Sequence, residues 1–340
     1  MDSAVAALRL IDEGCTLETA TVRLWAGGDR RSCCSPGALQ RARKTADWLG
    51  LPHHFVDREA EFEAAVVEPF VAAYLGGETP NPCVSCNPRR LAALVGLADE
   101  LGLARVATGH YARLVWRDGE PYVARAADRA KDQSYMLWAV TPQVLARLEF
   151  PLGESTKRET RAAAEVAGLP VAGEPESQEV CFAVDGYRPF LESQGVPAES
   201  GDIVDGQGRV VGRHEGHWRY TVGQRRGLGV TAPRPLYVLA LDAAAQRVMV
   251  GEERDLARGR LVASDVNWLS TGRPDGPRSV EVQVRYRHVA AAATLVPLTD
   301  DRVEVRFTIP QRAVAPGQAA VFYDGEVCLG GGWIEAAFRD

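Results

Sequence analysis

Lysine is nearly absent from this chain: Lys44, Lys131 and Lys157 stand against 36 arginines in 340 residues. A lysine kept against that bias is a candidate for work that a compact ammonium does better than a planar guanidinium, such as contact with a phosphate. Lys131, in RAKDQSYMLW, is the position this singles out. Long apolar runs are also missing. None approaches the roughly 18 residues of a membrane span, and MDSAVAALRLIDEG lacks the basic start and small-residue cleavage site of a signal peptide. Both absences argue against membrane insertion and export, and the expected location is the cytoplasm. Cysteine is too sparse and too uneven for a disulfide framework: seven residues (15, 33, 34, 83, 86, 181, 328) make an odd number in a large chain, so reduced thiols are expected and any disulfide would be catalytic. There is no internal repeat and no low-complexity tract. What remains, 46% hydrophobic and 25% charged residues, is ordinary for a globular protein of two or three domains.

Net charge is −6, which by itself disfavours a nucleic-acid partner, but the acid is unevenly placed. Residues 1–200 carry −7 and residues 201–340 carry +1. Within the second half, HWRYTVGQRRGLG and QVRYRHV mix arginine with aromatics, a composition that suits RNA backbones and splayed bases, although such patches are more often plain solvated surface. The pattern along the chain changes near residue 185. Before it, helical stretches (SAVAALRLIDEG, PGALQRARKTADWLG, FEAAVVEPFVAAYLGG, RRLAALVGLADELG) alternate with short strands (TATVRLW, HHFVD, RVATGHYA). That alternation predicts a doubly wound parallel sheet with ligands at the carboxyl ends of its strands, its helices closing at Gly50, Gly76 and Gly102. After it, alternating runs separated by Gly, Pro and Asp predict antiparallel β modules, with the turn-rich LSTGRPDGPRS as the internal boundary.

TPNPCVSCNPRR, residues 79–90, concentrates the chemistry. Pro82 and Pro88 predict that Cys83 and Cys86 lie on a loop or a frayed helix start. Three readings compete. A zinc clip needs further ligands that the sequence does not pair with it. A redox dithiol would sit near the start of a much smaller domain. A nucleophilic or sulfur-carrying thiol would work with another cysteine brought close by folding, and Cys181, in the acidic, Gly- and Pro-containing GEPESQEVCFAVDGY, is the candidate partner. Cys15 and Cys328 fit simple burial, and Cys33 and Cys34 have no assigned role. His110 follows an apolar strand at the sheet edge, where a local hydrogen-bonding role is the commoner one. Asp2 and Ser3 open a helix whose first N–H groups would bind an anion, a feature otherwise no more than an N-cap.

Together these stretches resemble the bacterial tRNA-specific 2-thiouridylase (MnmA) family of ATP pyrophosphatase-loop enzymes over nearly the whole chain. The resemblance rests on DSAVAAL, TPNPCVSCN, ATGHYAR, KDQSYMLW, FPLGESTKRETR, ESQEVCF, YTVGQRRGLG, VRYR and PGQAAVFYDGEVCLGGG, in that order. It implies an α/β plus β protein: a doubly wound, adenine nucleotide alpha hydrolase-like domain over 1–184, a small central β-rich tRNA-contacting domain over 185–265, and a C-terminal antiparallel β-barrel over 266–340. The family's ATP loop reads Ser-Gly-Gly-x-Asp-Ser after a β-strand, and this sequence begins at the x. The expectation is therefore a start at an internal methionine, with a chain poorly folded and inactive as written.

The implied reaction is ATP-dependent 2-thiolation of the wobble uridine of tRNA, a sulfurtransferase activity. ATP, with Mg2+, adenylates the 2-carbonyl oxygen and sulfur then displaces AMP. By resemblance Asp2, Ser3, Leu24 and Gly109 bind ATP, Cys86 is the nucleophile, and Cys181 carries a persulfide, with a transient Cys86–Cys181 disulfide. Asn81, Pro82 and Cys83 match the target-base segment; His110, Lys131, Asp132, Gln133, Arg285, Tyr286 and Gln318 match tRNA-contacting positions. Implied partners are tRNA and a sulfur donor such as a cysteine desulfurase or relay protein, with no membrane and a monomeric chain. Some family members have aspartate in place of Cys83. That departure admits a second mechanism, in which Cys83, Cys86 and Cys181 ligate a [4Fe–4S] cluster. Two other readings are a tRNA-binding protein inactive through loss of the ATP loop, and an amide- or ligase-type pyrophosphatase-loop enzyme of GMP or argininosuccinate synthesis.

Overall fold

The computed structural model describes residues 1–25, 35–173, 180–269 and 272–339. Cys33 and Cys34 lie outside these residues. The chain forms two compact units: one comprises residues 1–66, 83–187 and 326–329, the other residues 67–82, 188–325 and 330–340.

The elements up to residue 75 are α1 (Asp2–Asp12), β1 (Thr19–Arg23), α2 (Pro36–Leu49), β2 (His53–Asp57), α3 (Glu59–Phe62) and α4 (Glu68–Leu75). The single helix expected over 62–77 is broken into α3, a π-helical turn at Glu63–Val67, and α4. Pro69 explains the break, because it lacks the N–H that a continuous α-helix would use and its ring crowds the preceding turn. Where the local chemistry agrees, the boundaries fall as the sequence predicts. Ser35 caps α2 by accepting from Ala38 N at 3.2 Å, Pro36 starts it, and Gly50 ends it in the left-handed region.

There follow α5 (Pro82–Glu100), β3 (Val106–Ala107), the hairpin β4 (Ala112–Arg117) and β5 (Glu120–Arg125), α6 (Pro142–Leu145), β6 (Leu148–Glu149), α7 (Lys157–Val166) and α8 (Tyr187–Ser193). The prolines of the cysteine motif do not exclude a helix. Pro82 is its first residue, where no intrahelical N–H is required, so Cys83 and Cys86 occupy the first turns of α5, with Pro88 inside the helix. In the first unit β1 pairs parallel with β2 from Thr19↔His53 to Arg23↔Asp57, and β3 pairs parallel with β6 through Val106↔Leu148. The parallel strands thus form two separate two-stranded ladders, which no strand among the described residues joins. Ala4, Val5 and Ala6 of α1 pack with Tyr111, Leu152, Ala164 and Leu169, burying the start of α1 against α7 and the segment after β3. Val327 pairs with Ala124 of β5 and packs on Tyr122.

The second unit is β-rich: β7 (Gly201–Val204), β8 (Val210–His214), β9 (Tyr237–Asp242), β10 (Arg247–Gly251), β11 (Ala257–Trp268), β12 (Arg278–Gln283), β13 (Ala291–Pro297), β14 (Val303–Arg312), β15 (Ala319–Asp324) and β16 (Val327–Phe338). A four-stranded sheet in the order β8-β7-β10-β9 surrounds Ile203, Tyr220, Val238, Val248 and Val250. Six further strands run β11-β14-β13-β12-β15-β16, and pairing of β11 with β16 closes them into an antiparallel barrel. Closure brings Trp268 opposite Gly330, where a Cβ would lie 2.1 Å from the Asn267 carbonyl oxygen, so only glycine permits the approach. The segment 269–279 connects two strands of this barrel, and β11 runs across the 265/266 position.

Candidate active site

The first turn of α1 is a polar cluster inside the first unit. Lys157 Nζ donates to both carboxylate oxygens of Asp2, at 2.7 and 2.8 Å, and the Tyr111 hydroxyl donates to Asp2 Oδ1 at 3.3 Å. Lys157 lies 5.5 Å from the centre of the Tyr111 ring, and its side chain is only 14% exposed. Burial, with Asp2 nearby, pushes the Tyr111 phenol above its ordinary range, so it stays protonated and donates. Lys157 is set in place by its helix: Thr156 caps α7 in a reciprocal box with Glu159, making Lys157 the first helical residue, and Lys157 N donates to Asp128 Oδ2 at 2.9 Å. Gly109 closes the cluster. A Cβ there would sit 2.6 Å from Ser3 N and 2.7 Å from the Asp2 carbonyl carbon. Backbone therefore packs directly on backbone at the α1 amino end, with Ser3 exposed beside it. A helix amino end, an exposed hydroxyl and an ammonium shared with Asp2 are groups that could hold an anion such as a phosphate.

Cys83 is exposed and Cys86 half-buried, and neither forms a disulfide. Crowding around the Cys83 sulfur raises its pKa and the neighbouring Cys86 adds to this, while the Arg90 guanidinium acts in the opposite direction. Cys181, also a half-buried thiol, stands in a turn anchored by Phe182. The Phe182 ring meets Trp25 at 6.2 Å and Phe62 at 5.8 Å, which ties the Cys181 turn to the carboxyl end of β1, where Leu24 is buried. Cys328 is buried as expected, whereas Cys15 is exposed: it lies beyond the last turn of α1 and outside the face that packs. Among the described residues no three His, Cys, Asp or Glu side chains converge as metal ligands, so the cluster ligand set Cys83, Cys86 and Cys181 is not assembled.

The expected RNA-contacting residues differ in surroundings. His110 is buried, with Nδ1 2.7 Å from Thr108 Oγ1 and Nε2 3.2 Å from Arg90 Nη2. Burial and the Arg90 charge lower its pKa to about 3, so the ring is neutral. Asp132 accepts from Ala126 N, Ser134 N and Ser134 Oγ at 3.0, 3.1 and 2.9 Å, and Gln133 Oε1 accepts from Tyr111 N at 2.9 Å. Both face inwards and hold the segment that carries Lys131, which is partly exposed. In the second unit, Arg285 and Tyr286 follow β12 beside the exposed Arg287, whose guanidinium lies 5.5 Å from the Tyr286 ring centre. Gln318 donates to the Thr79 carbonyl, and Thr79 N donates to the Pro316 carbonyl at 2.9 Å. The stretch leading to Asn81 and Pro82 is thereby pinned to the barrel.

Sequence reasoning passed over Lys157, Tyr111, Arg90 and Asn87. The scarcity of lysine was a usable signal, since it applies to Lys157 as strongly as to Lys131. Only the fold shows which of the two meets Asp2.

Residues 1–185 match the family described as tRNA methyl transferase HUP domain, residues 188–252 the tRNA methyl transferase PRC-barrel domain, and residues 258–334 the aminomethyltransferase beta-barrel domain. The tRNA-specific 2-thiouridylase MnmA of Syntrophotalea carbinolica is 48% identical over 340 residues, covering 98% of this chain and 96% of its own. This chain belongs to the MnmA family. Its relatives in Acidithiobacillus ferrooxidans (46% identical; 98% of this chain, 96% of that one) and Sorangium cellulosum (46%; 100% and 91%) carry the same name. The expected fold class holds for this MnmA-family chain: a nucleotide-binding HUP domain, a small central β module and a closed six-stranded barrel.

Proposed function

We propose that this chain is a tRNA-uridine 2-sulfurtransferase that converts the wobble uridine of tRNA to 2-thiouridine at the expense of ATP. The observation that carries the reading is the cradle of Asp2, Ser3 and Gly109, with Lys157 beside it, in a chain that also presents Cys86 at the start of α5 and anchors Cys181 near the end of β1. ATP lies with its phosphates at the amino end of α1 and its adenine near Leu24. Magnesium would enter with the phosphates and neutralise part of their charge, and Asp2 is the carboxylate at hand.

The uridine 2-oxygen attacks the α-phosphate, forming an O–P bond and releasing pyrophosphate, which turns a poor leaving oxygen into AMP. The terminal sulfur of a Cys181 persulfide attacks the 2-carbon and AMP departs. The Cys86 thiolate then attacks Cys181 Sγ, closing a Cys86–Cys181 disulfide as 2-thiouridine leaves, and an external thiol supplies the two electrons that reopen it. Asn81, Pro82 and Cys83 border the flipped base, and Lys131, Arg285 and Tyr286 contact the tRNA, whose loop yields a base at little cost. His110, Asp132, Gln133 and Gln318 serve these contacts from beneath, through the bonds they make to backbone and to Arg90. The chain works as a cytoplasmic monomer, and a cysteine desulfurase or relay protein loads Cys181.

The test is incubation with ATP, an unmodified tRNA transcript and a persulfide donor, followed by nucleoside mass spectrometry. Formation of 2-thiouridine by the wild type, its loss in Cys181→Ser, and trapping of a tRNA–protein adduct in Cys86→Ser are the expected results. Absence of both 2-thiouridine and AMP would refute the reading.

A further inference from the structure

Arg90 takes no chemical step in the reaction above and enters it only as a partner of His110, yet it lies at the centre of a largely buried polar chain in the first unit. Its Nη2 donates at 2.8 Å to Asn87 Oδ1 and lies 3.2 Å from His110 Nε2. That nitrogen carries two N–H bonds, so each partner receives one. A guanidinium cannot accept, which makes His110 Nε2 the acceptor and places the ring proton on Nδ1, directed at Thr108 Oγ1 2.7 Å away. On the other side Asn87, its oxygen committed to Arg90, donates through Nδ2 to the Met136 carbonyl at 3.2 Å. Asn87 and His110 are both buried.

The two ends of this chain are functionally distinct. Asn87 and Arg90 lie on α5 immediately after Cys86. Thr108 and His110 flank Gly109, whose backbone abuts Ser3 N. Arg90 therefore joins the turn that carries the sulfur chemistry to the loop that holds the nucleotide. A lysine would present one nitrogen on a flexible stem, whereas the planar guanidinium holds its donors at fixed angles. The same charge opposes the rise of the Cys83 pKa.

We propose that Arg90 is a positioning residue that keeps the amino-terminal turns of α5 in register with the Gly109 loop, so that adenylation of the base is followed by sulfur transfer rather than by water. This rests on the sulfurtransferase reading. When the register is lost, water replaces AMP at the 2-carbon and uridine is returned, so ATP is consumed without product. The two functions then separate: AMP continues to form while 2-thiouridine falls.

The experiment measures AMP released and 2-thiouridine formed in one reaction, using the full chain, tRNA transcript and a persulfide donor, for wild type, Arg90→Met and Arg90→Lys. Arg90→Met should raise the ratio of AMP to 2-thiouridine by about fivefold or more, with KM for ATP changed less than about twofold, and Arg90→Lys should raise the ratio by a smaller factor. A merely structural role would lower both products together at a constant ratio, and that result overturns the proposal. A wild type that makes neither product refutes the sulfurtransferase reading instead. Imidazole 15N shifts then still decide on Arg90: they should show a single Nδ1–H tautomer of His110 in the wild type and a mixture in Arg90→Met, and identical spectra for the two would overturn the positioning role.

Discussion

Asp2 and Lys157 are 155 residues apart, and their pairing is the most consequential contact at the level of single side chains. The ammonium is buried, touches the carboxylate with two short bonds, and lies next to the helix end where phosphates would be held. A charge-assisted hydrogen bond lost from such a site costs roughly 1.5–3 kcal/mol, or about 10- to 160-fold in binding. Lys157→Ala should raise KM for ATP by that factor in steady-state AMP release; an unchanged KM would mean that the lysine only neutralises Asp2. Gly109 constrains the same cradle through sterics. Since Ser3 N is 2.6 Å from where a Cβ would be, Gly109→Ala must displace backbone, and a core overpacked in this way loses about 1–3 kcal/mol. Both a lower melting temperature and weaker nucleotide binding are expected, readable by thermal denaturation with and without ATP. A normal melt with normal binding would show that the loop simply moves aside.

At the level of elements, α5 is the informative case. Two prolines argued for a loop or a frayed helix start, and one of them lies where a helix accepts it: Pro82 at the first position needs no intrahelical N–H. Pro88 lies inside the helix and leaves the Val84 carbonyl without its usual i+4 donor. Replacing it by alanine restores that donor, so Pro88→Ala should stabilise the protein by about 1–2 kcal/mol, part of the roughly 3 kcal/mol that separates the two residues in a helix interior. A urea titration would measure this, and a loss of stability would mean that the ring packs better than the missing bond costs. The capping box of α7 sets Lys157 at the first helical position. Thr156→Ala should cost about 1 kcal/mol and weaken nucleotide binding in parallel, which links a local cap to the distant Asp2. The end of α2 at Gly50 was legible beforehand because its cause lies within four residues; the cap of α7 has an equally local cause, which the sequence reading passed over. Splitting of the 62–77 helix was also locally encoded, by Pro69, but whether a proline ends a helix or widens one turn depends on the packing of both halves.

For the molecule as a whole, acid is the discriminating perturbation. His110 has a folded pKa of about 3 against an ordinary 6.5, so on acidification the unfolded chain takes up this proton first. Stability should fall as pH drops below about 6.5, by up to ~1.4 kcal/mol per pH unit from this residue, until about pH 3. Glu304, held below its ordinary 4.5 by its bonds to Arg306 and Arg260, contributes stability that is in place above that value and lost as pH falls through the lowered one. Urea midpoints should therefore decline in two stages, the first removed by His110→Gln and the second reduced by Glu304→Gln. Midpoints flat between pH 6.5 and 4.5 would show that His110 is protonated in the native state without penalty. The sequence by itself determined the alternation of elements, the β character after residue 185 and the Cys83/Cys86 pair between prolines, because periodicity, caps and motif spacing are short-range properties of the chain. Only the tertiary structure decided that Lys157 meets Asp2, that Arg90 joins Asn87 to His110, and that Gly109 abuts Ser3. Apart from the Arg90–Asn87 bond within α5, those contacts span 20 to 155 residues of chain, and no local preference specifies them; they exist because helices and strands bury their apolar faces together and bring the polar residues between them into bonding distance.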